Sequence, residues 1–285
     1  MENLEAIATV ASVFLIFVLL EVTAGDFLQR KRTKVRDVWL DFASGILVPG
    51  AIMPLVLFAS ASLAQHLFPA DAGAWSAWPA WLMFVTLCIG DDLSQYWWHR
   101  LSHTRWLFPL HRAHHSAPYL SVRVVYRNNI IYYALMPGLW VSGGLIYAGF
   151  GSVYACYVVA KLFVITSAHS NVQWDRPLLR FKTTRVLLWL LERTISTPMT
   201  HAAHHGLNGS DPATHYKGNF GNLLFIWDII FGTAKITRSA PTAFGVEGLV
   251  PVPWWREFTI PKKTSYLAPE SDSSHSSPAD TLPSE

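Results

Sequence analysis

The sequence predicts an all-α protein: a multi-pass transmembrane helical bundle of about four to five spans, with a cytosolic helical cap that carries the histidines. Three observations lead there. Hydrophobic residues make up 51% of the 285 and charged ones only 14%, the balance of a chain that faces lipid. Apolar runs of about 20 residues recur along it, each long enough to cross a hydrocarbon layer of roughly 30 Å. Histidines gather at the ends of those runs, and five of the chain's 12 fall within residues 99–115.

Residues 6–25 form the first run. Glu2 and Glu5 precede it and Arg30, Lys31, Arg32, Lys34 and Arg36 follow it, the reverse of a signal peptide's charge order, so it reads as an uncleaved anchor. Residues 42–68 are apolar again, broken by Pro49 and Pro54, and lead into 69–79, which hold no Lys or Arg. The third run, 78–98, delivers the chain to His99. Residues 129–168 hold two more runs, joined near 149–151 with almost no loop, as in a membrane hairpin. The 13 tryptophans gather near the ends of the runs, as interfacial aromatic belts do. The positive-inside rule puts residues 30–36 and 99–127, with Arg100, Arg105, Arg112, Arg123 and Arg127, in the cytoplasm and 69–79 outside. The hairpin returns the chain at His169, so every histidine group faces the cytosol, from a bacterial inner membrane or the endoplasmic reticulum. Residues 178–195 mix Leu, Trp and Phe with Arg180, Lys182, Arg185 and Arg193, the pattern of a basic amphipathic helix on the membrane surface. The run 223–231 is too short to span and is expected to pack against the site or dip into the interface. The predicted organisation is N-terminal anchor helices over 1–84, a histidine domain over 85–235, an extension over 236–263 and a disordered Ser-, Pro- and acid-rich tail over 264–285.

His99 and His103 stand at i and i+4, while His111, His114 and His115 stand at i, i+3 and i+4, and His201, His204 and His205 repeat that spacing. On a helix each group projects from one face, where neighbouring imidazoles suit a metal. Imidazole serves iron, zinc, copper and nickel, so ligand type does not choose the metal. Number says more: a zinc site takes three or four ligands, and eight or nine histidines suffice for two ions. An all-histidine shell supplies no negative charge, so two divalent ions there stay electron-poor and would form, with oxygen, an oxidant able to take hydrogen from an unactivated C–H bond. Cys88 and Cys156 lie far apart in apolar runs, which excludes a disulfide framework, a thiolate zinc site and an iron–sulfur cluster. A net charge of +3 gives no case for nucleic acid. Asp92, Tyr96, His99 and His103 form one helical stripe, from which the Asp92 carboxylate could orient imidazole N–H groups and offset charge. The alternative has Asp91 and Asp92 capping the bundle or pairing with Arg100 or Arg105. The arginines among the histidines would bind an anionic headgroup or an acidic electron donor, or simply set topology. A metal transporter would carry ionisable groups along a path near the bilayer midplane. A zinc hydrolase would need fewer histidines and a carboxylate base among them.

Asp92, Tyr96, His99-Arg100, His103, Trp106, His111 and His114-His115-Ser116 resemble the first two histidine boxes of the fatty acid hydroxylase/sterol desaturase superfamily. His201-Ala202-Ala203-His204-His205, then Gly218-Asn219-Phe220-Gly221, Trp227-Asp228 and Phe231-Gly232-Thr233, resemble its third box and the segment after it. The resemblance covers roughly residues 85–235. It implies an integral-membrane non-haem enzyme with two iron ions that uses molecular oxygen and external electrons to hydroxylate or desaturate a membrane lipid or sterol-like substrate. It also implies that His99, His103, His111, His114, His115, His201, His204 and His205 are metal ligands. His169, in Ala168-His169-Ser170-Asn171, resembles the isolated histidine that precedes the family's third box, and Asn171 is either its support or interfacial polarity. The gap from His205 to Asn219 is longer than usual and contains His215, an extra ligand or supporting group in one reading and a surface loop histidine in the other. His66, on the expected outer side, and His275, in the tail, have no part in the site. Residues 126–140 offer no recognition element for a large sterol, so hydroxylation is preferred, with C5-sterol-type desaturation as the alternative. With no haem, flavin or nicotinamide motif, electrons are expected from a cytochrome b5-like protein or a ferredoxin and its reductase.

Overall fold

The computed structural model describes residues 2–24 and 26–261, so the tail over 264–285, like His275, lies outside the described residues. Among those residues every regular element is helical, and the only strand-like pairings are two isolated bridges, Ile195 with Leu224 and Gly206 with Phe244. Helix α1 (Glu2–Thr23) is followed by α2 (Val35–Leu47), which runs through a π-helical turn, Val48–Ile52, into α3 (Met53–Leu67). Likewise α4 (Ala80–Leu87) runs through a π turn, Cys88–Leu93, into α5 (Ser94–Ser102). Next come α6 (Phe108–His115), α7 (Ile130–Ala134), α8 (Pro137–Leu145) and α9 (Gly151–His169). Four more helices follow among the described residues: α10 (Lys182–Thr194), α11 (Pro198–His204), α12 (Ile226–Ile230) and α13 (Trp254–Thr259).

Two helical stretches, Val35–Leu67 and Ile130–His169, are long and apolar enough to cross a membrane. The prolines expected to break the first do not end it. Pro49 sits inside the π turn, and Pro54 lies in the first turn of α3. A widened turn absorbs the missing amide donor and the ring's bulk, so the helix bends its hydrogen-bond ladder instead of stopping. The second stretch is interrupted at Gly149, whose φ of 114° only glycine adopts without strain. That turn is pinned to the 73–75 loop by Gly73 N–H to Tyr147 O (3.0 Å) and Trp75 N–H to Ala148 O (2.9 Å). The ends of α3 and α8 and the starts of α4 and α9 therefore meet at one end of the molecule. Helix α8 packs on α3, and α9 on α1 and α4. The 19 residues of α9 rise about 28 Å to His169 at the other end.

One apolar core joins α2, α3, α7, α8 and α13 through Leu40, Val56, Tyr132, Leu139 and Phe258. A second joins α4, α8, α9 and the 223 segment through Leu87, Leu145, Phe150, Tyr157 and Leu223. Buried charges tie the layers together. Asp91 pairs with Lys161 of α9 (2.7 Å), not with Arg100 or Arg105, because the π turn aims it across the bundle at α9. Arg112 pairs with Glu257 (3.4 Å) and donates to the Val250 carbonyl (2.6 Å). Arg127, 0% exposed, reaches Asp37 (2.8 Å) and Asp41 (3.0 Å) on α2 and donates to Ser116 Oγ (2.8 Å) and Ala113 O (2.9 Å). These two arginines are spent on internal ion pairs and present nothing to a headgroup. Removing one member of such a buried cluster leaves unpaired charge behind. Arg127→Met should therefore cost about 3–5 kcal/mol, read as a lower thermal unfolding midpoint in detergent.

Candidate metal centre

Four helices bring nine histidines to one place. His99 and His103 close α5, His169 closes α9, and α6 and α11 carry the remaining two groups. Both α6 and α11 are short helices opened by a proline in the first turn, where a missing N–H costs nothing. Helix α11 has a capping box of Thr197 and Thr200, and Asp175 accepts from the Met199 amide (2.8 Å) at its N-terminus.

The imidazole nitrogens fall into two groups. His99, His103, His111, His115 and His204 make one, and His114, His169, His201 and His205 the other, with the nitrogens of each lying within 4.8 Å of one another. The two H-x-x-H-H segments are crossed. On α6 the i and i+4 members join the first group and the i+3 member the second; on α11 the assignment is reversed. Helical geometry allows the split, since around the axis i+4 lies about 40° to one side of i while i+3 lies about 60° to the other, so i+3 and i+4 diverge by about 100°. The groups abut, with the His115 and His205 rings stacked at 4.5 Å.

Proton bookkeeping shows what the groups lack. His99 Nδ1 lies 2.7 Å from the Phe220 carbonyl and His204 Nδ1 2.7 Å from the Gly218 carbonyl. A carbonyl only accepts, so each Nδ1 carries the proton and each Nε2 is bare. Yet those two Nε2 atoms face each other at 3.0 Å. The second group repeats this. His114 Nδ1 donates to Val124 O (3.1 Å), His169 Nδ1 donates to Ile165 O (2.8 Å), and their Nε2 atoms stand 3.3 Å apart. Facing lone pairs repel unless a cation lies between them. Further Nε2 contacts link His111 to His115 (3.2 Å), His169 to His201 (2.9 Å) and His201 to His205 (3.1 Å). Ligands at right angles on one ion, with bonds of about 2.1 Å, sit about 3.0 Å apart, so the donor sets fit a metal in both groups. His103 Nε2 and His201 Nδ1 are buried with no hydrogen-bond partner among the described residues, as the first would be if reserved for an ion.

A second layer fixes the carbonyls. Asn219, at φ 57°, turns the backbone so that the carbonyls on either side of it, of Gly218 and Phe220, both meet histidines; asparagine tolerates this conformation. Its side chain bonds Thr200 O (2.8 Å) and Lys235 O (2.9 Å). A Cβ on Gly218 would overlap the Thr233 carbonyl and the His215 ring. Asp228 accepts from the amides of Phe220 (2.8 Å) and Gly221 (2.6 Å) and from Thr233 Oγ (2.6 Å), and Tyr96 Oη donates to the same threonine (2.9 Å). Asp92 touches no imidazole. Its carboxylate accepts from the amides of Leu223 (3.3 Å) and Leu224 (3.1 Å) and from the Trp227 indole (2.9 Å), so it orients the 220–228 segment, not an imidazole N–H. His215 lies outside both groups, with Nε2 on Thr233 O (3.1 Å), and His66 is exposed on α3. Asn171 meets Glu21 and Asp26, not His169. Sequence reasoning missed Asn128, which accepts from His111 Nδ1 (2.8 Å), and Asp175 and Glu21. Only Glu21 carried a signal, as an acid inside an apolar run.

A family model described as fatty acid hydroxylase matches residues 84–233, just over half of the chain, so the protein belongs to that family. Among curated proteins the chain is 26% identical over 235 residues to alkylglycerol monooxygenase of Danio rerio and 25% identical over 233 to that of Xenopus tropicalis. The human counterpart is 24% identical over 236 residues. Each alignment covers 77% of this chain but only 45–46% of the relative, so the chain spans about half the length of the curated relatives it matches. No solved structure matches it.

Burial first, and the neighbouring imidazoles second, hold His114, His115, His201 and His205 well below the usual 6.5. The unfolded chain therefore takes up protons that the folded one refuses. Stability from these groups is complete above pH 6.5 and is lost as the pH falls below it. Thermal unfolding followed from about pH 8 to pH 5 should show a steadily falling midpoint; a flat profile would mean the rings are solvated and titrate freely.

Proposed function

We propose that this chain is a membrane-embedded lipid hydroxylase whose nine clustered histidines hold two iron ions. The observation that carries the reading is the pair of bare nitrogen contacts, His99 with His204 and His114 with His169, one in each group. Family membership supports iron over the other metals that accept imidazole, and ligand sets of five and four leave each ion short of six donors. Iron bound there would supply the binding and reductive activation of molecular oxygen. The chain's own residues fix the tautomer of five rings, through carbonyls at His99, His114, His169 and His204 and the Asn128 side chain at His111, keep the donors out of water and set the separation of the two groups. Net hydroxylation puts one oxygen atom of O2 into a C–H bond and reduces the other to water, which consumes two electrons and two protons. A cytochrome b5-like protein, or a ferredoxin with its reductase, is the class of donor proposed. In this reading the helices cross the bilayer about four to five times and the histidines face the cytosol, where such a donor docks.

For the substrate, the relatives' name supports an alkylglycerol, a glycerol ether. Product analysis separates the alternatives: an added oxygen marks hydroxylation, whereas loss of two hydrogens marks desaturation of a sterol or acyl chain. The decisive experiment is metal analysis of detergent-purified protein from iron-supplemented cells, alongside His114→Ala and His204→Ala. Two ions per chain with iron present, and both variants depleted and inactive yet membrane-inserted, is the expected result. Retained turnover in either variant removes the di-iron assignment. Asp228→Asn sets an N–H donor against donors and should weaken metal retention about 10- to 100-fold in chelator competition, with the fold intact.

A further inference from the structure

Glu21 lies on α1, more than 60 residues before the family match begins, and is 0% exposed. Its Oε2 accepts from Ser121 Oγ (2.6 Å), and its Oε1 accepts from the amides of Val122 (3.0 Å) and Asn171 (3.1 Å). Those donors belong to two segments that each lead to a histidine of the second group. Val122 opens the Val122–Val124 turn, whose last carbonyl takes the His114 Nδ1 proton. Asn171 stands two residues past His169, just beyond the end of α9. One carboxylate thus joins the supports of the two histidines whose bare nitrogens face each other at 3.3 Å. The segment after α1 repeats the grip: Asn171 Nδ2 donates to Asp26 O (3.1 Å) and Gln29 Nε2 to Leu120 O (2.8 Å). The first group's carbonyl supports come from Gly218 and Phe220 instead.

We propose that Glu21 is a positioning residue for the second histidine group: by clamping the 121–124 turn to the end of α9 it sets the His114–His169 separation and hence that group's hold on its ion. The N-terminal helix is then part of the metal centre's framework as well as an anchor. One acceptor group serving three donors on two segments fixes their relative position, and support of this kind around ligands governs metal affinity.

The inference rests on the two-ion reading, and the test separates the two. Metal content per chain and chelator competition are measured on full-length protein in detergent for the parent, Glu21→Ala, Glu21→Gln and His201→Ala. If His201→Ala, a direct member of the second group, still binds as the parent does, the two-ion reading fails. If it drops to one ion, the assay reports the second group and Glu21 is judged by it. The expected results are one ion for Glu21→Ala, with the first group still loaded, and two for Glu21→Gln. The glutamine oxygen can still serve both amides, while its NH2 donates to a Ser121 hydroxyl that turns to accept. Glu21→Ala with two ions bound as tightly as in the parent overturns the proposal. So does Glu21→Ala with none, which would make Glu21 a general structural anchor. Where Glu21→Ala yields no folded protein, Glu21→Asp, about one methylene too short to reach both segments, is read in the same way and should weaken one ion at least tenfold.

Discussion

Everything in this structure depends on keeping imidazole nitrogens bare at close range. Two neutral rings brought together at 3.0 Å ordinarily share a proton, but here the carbonyls of Gly218 and Phe220 have already claimed one from each ring. Burial then forbids a second proton by desolvation. The only species left that can satisfy both lone pairs is a cation. The same constraint recurs in the second group through Val124 and Ile165, so the backbone itself selects a metal-ready tautomer at four of the nine rings.

The architecture answers this constraint by bringing imidazoles from helices that arrive along different routes. The continuous α4–α5 rod and α9 run from the far end of the bundle, and the pair between Asp91, in the rod's π turn, and Lys161 of α9 keeps them in register. Helices α6 and α11 are short, proline-started and crossed, so neither group is completed by one segment alone. Unfolding any one of the four helices would strip donors from a group.

Carboxylates act here at one remove. Asp92, Asp175, Asp228 and Glu21 all bind amides and hydroxyls of the loops behind the histidines, and the rings themselves lean on carbonyls. A buried carboxylate needs donors, and backbone amides at turns supply them without altering the charge of the cluster. Asp92 occupies the helical stripe its spacing indicates, yet the π turn over Cys88–Leu93 swings it onto the 223–227 segment.

The sequence by itself determined the helical class, the apolar runs and eight of the nine histidines that come together, because apolar periodicity and i, i+3, i+4 spacing are local properties of one helix; His169, which stands alone, was legible only through the family resemblance. Family membership was legible for the same reason, in residues clustered around those histidines. Only the tertiary structure decided that His114 leaves its neighbours to join His201 and His205, while His204 joins His99 across 105 residues. It also decided that Pro49 widens a helix instead of ending it, and that Glu21 reaches the second group. Those outcomes depend on which faces pack together and on backbone carbonyls and amides. Nearly every residue carries those groups, so residue type does not mark the partner; Glu21 stood out only as an acid inside an apolar run, with nothing to say what it would reach.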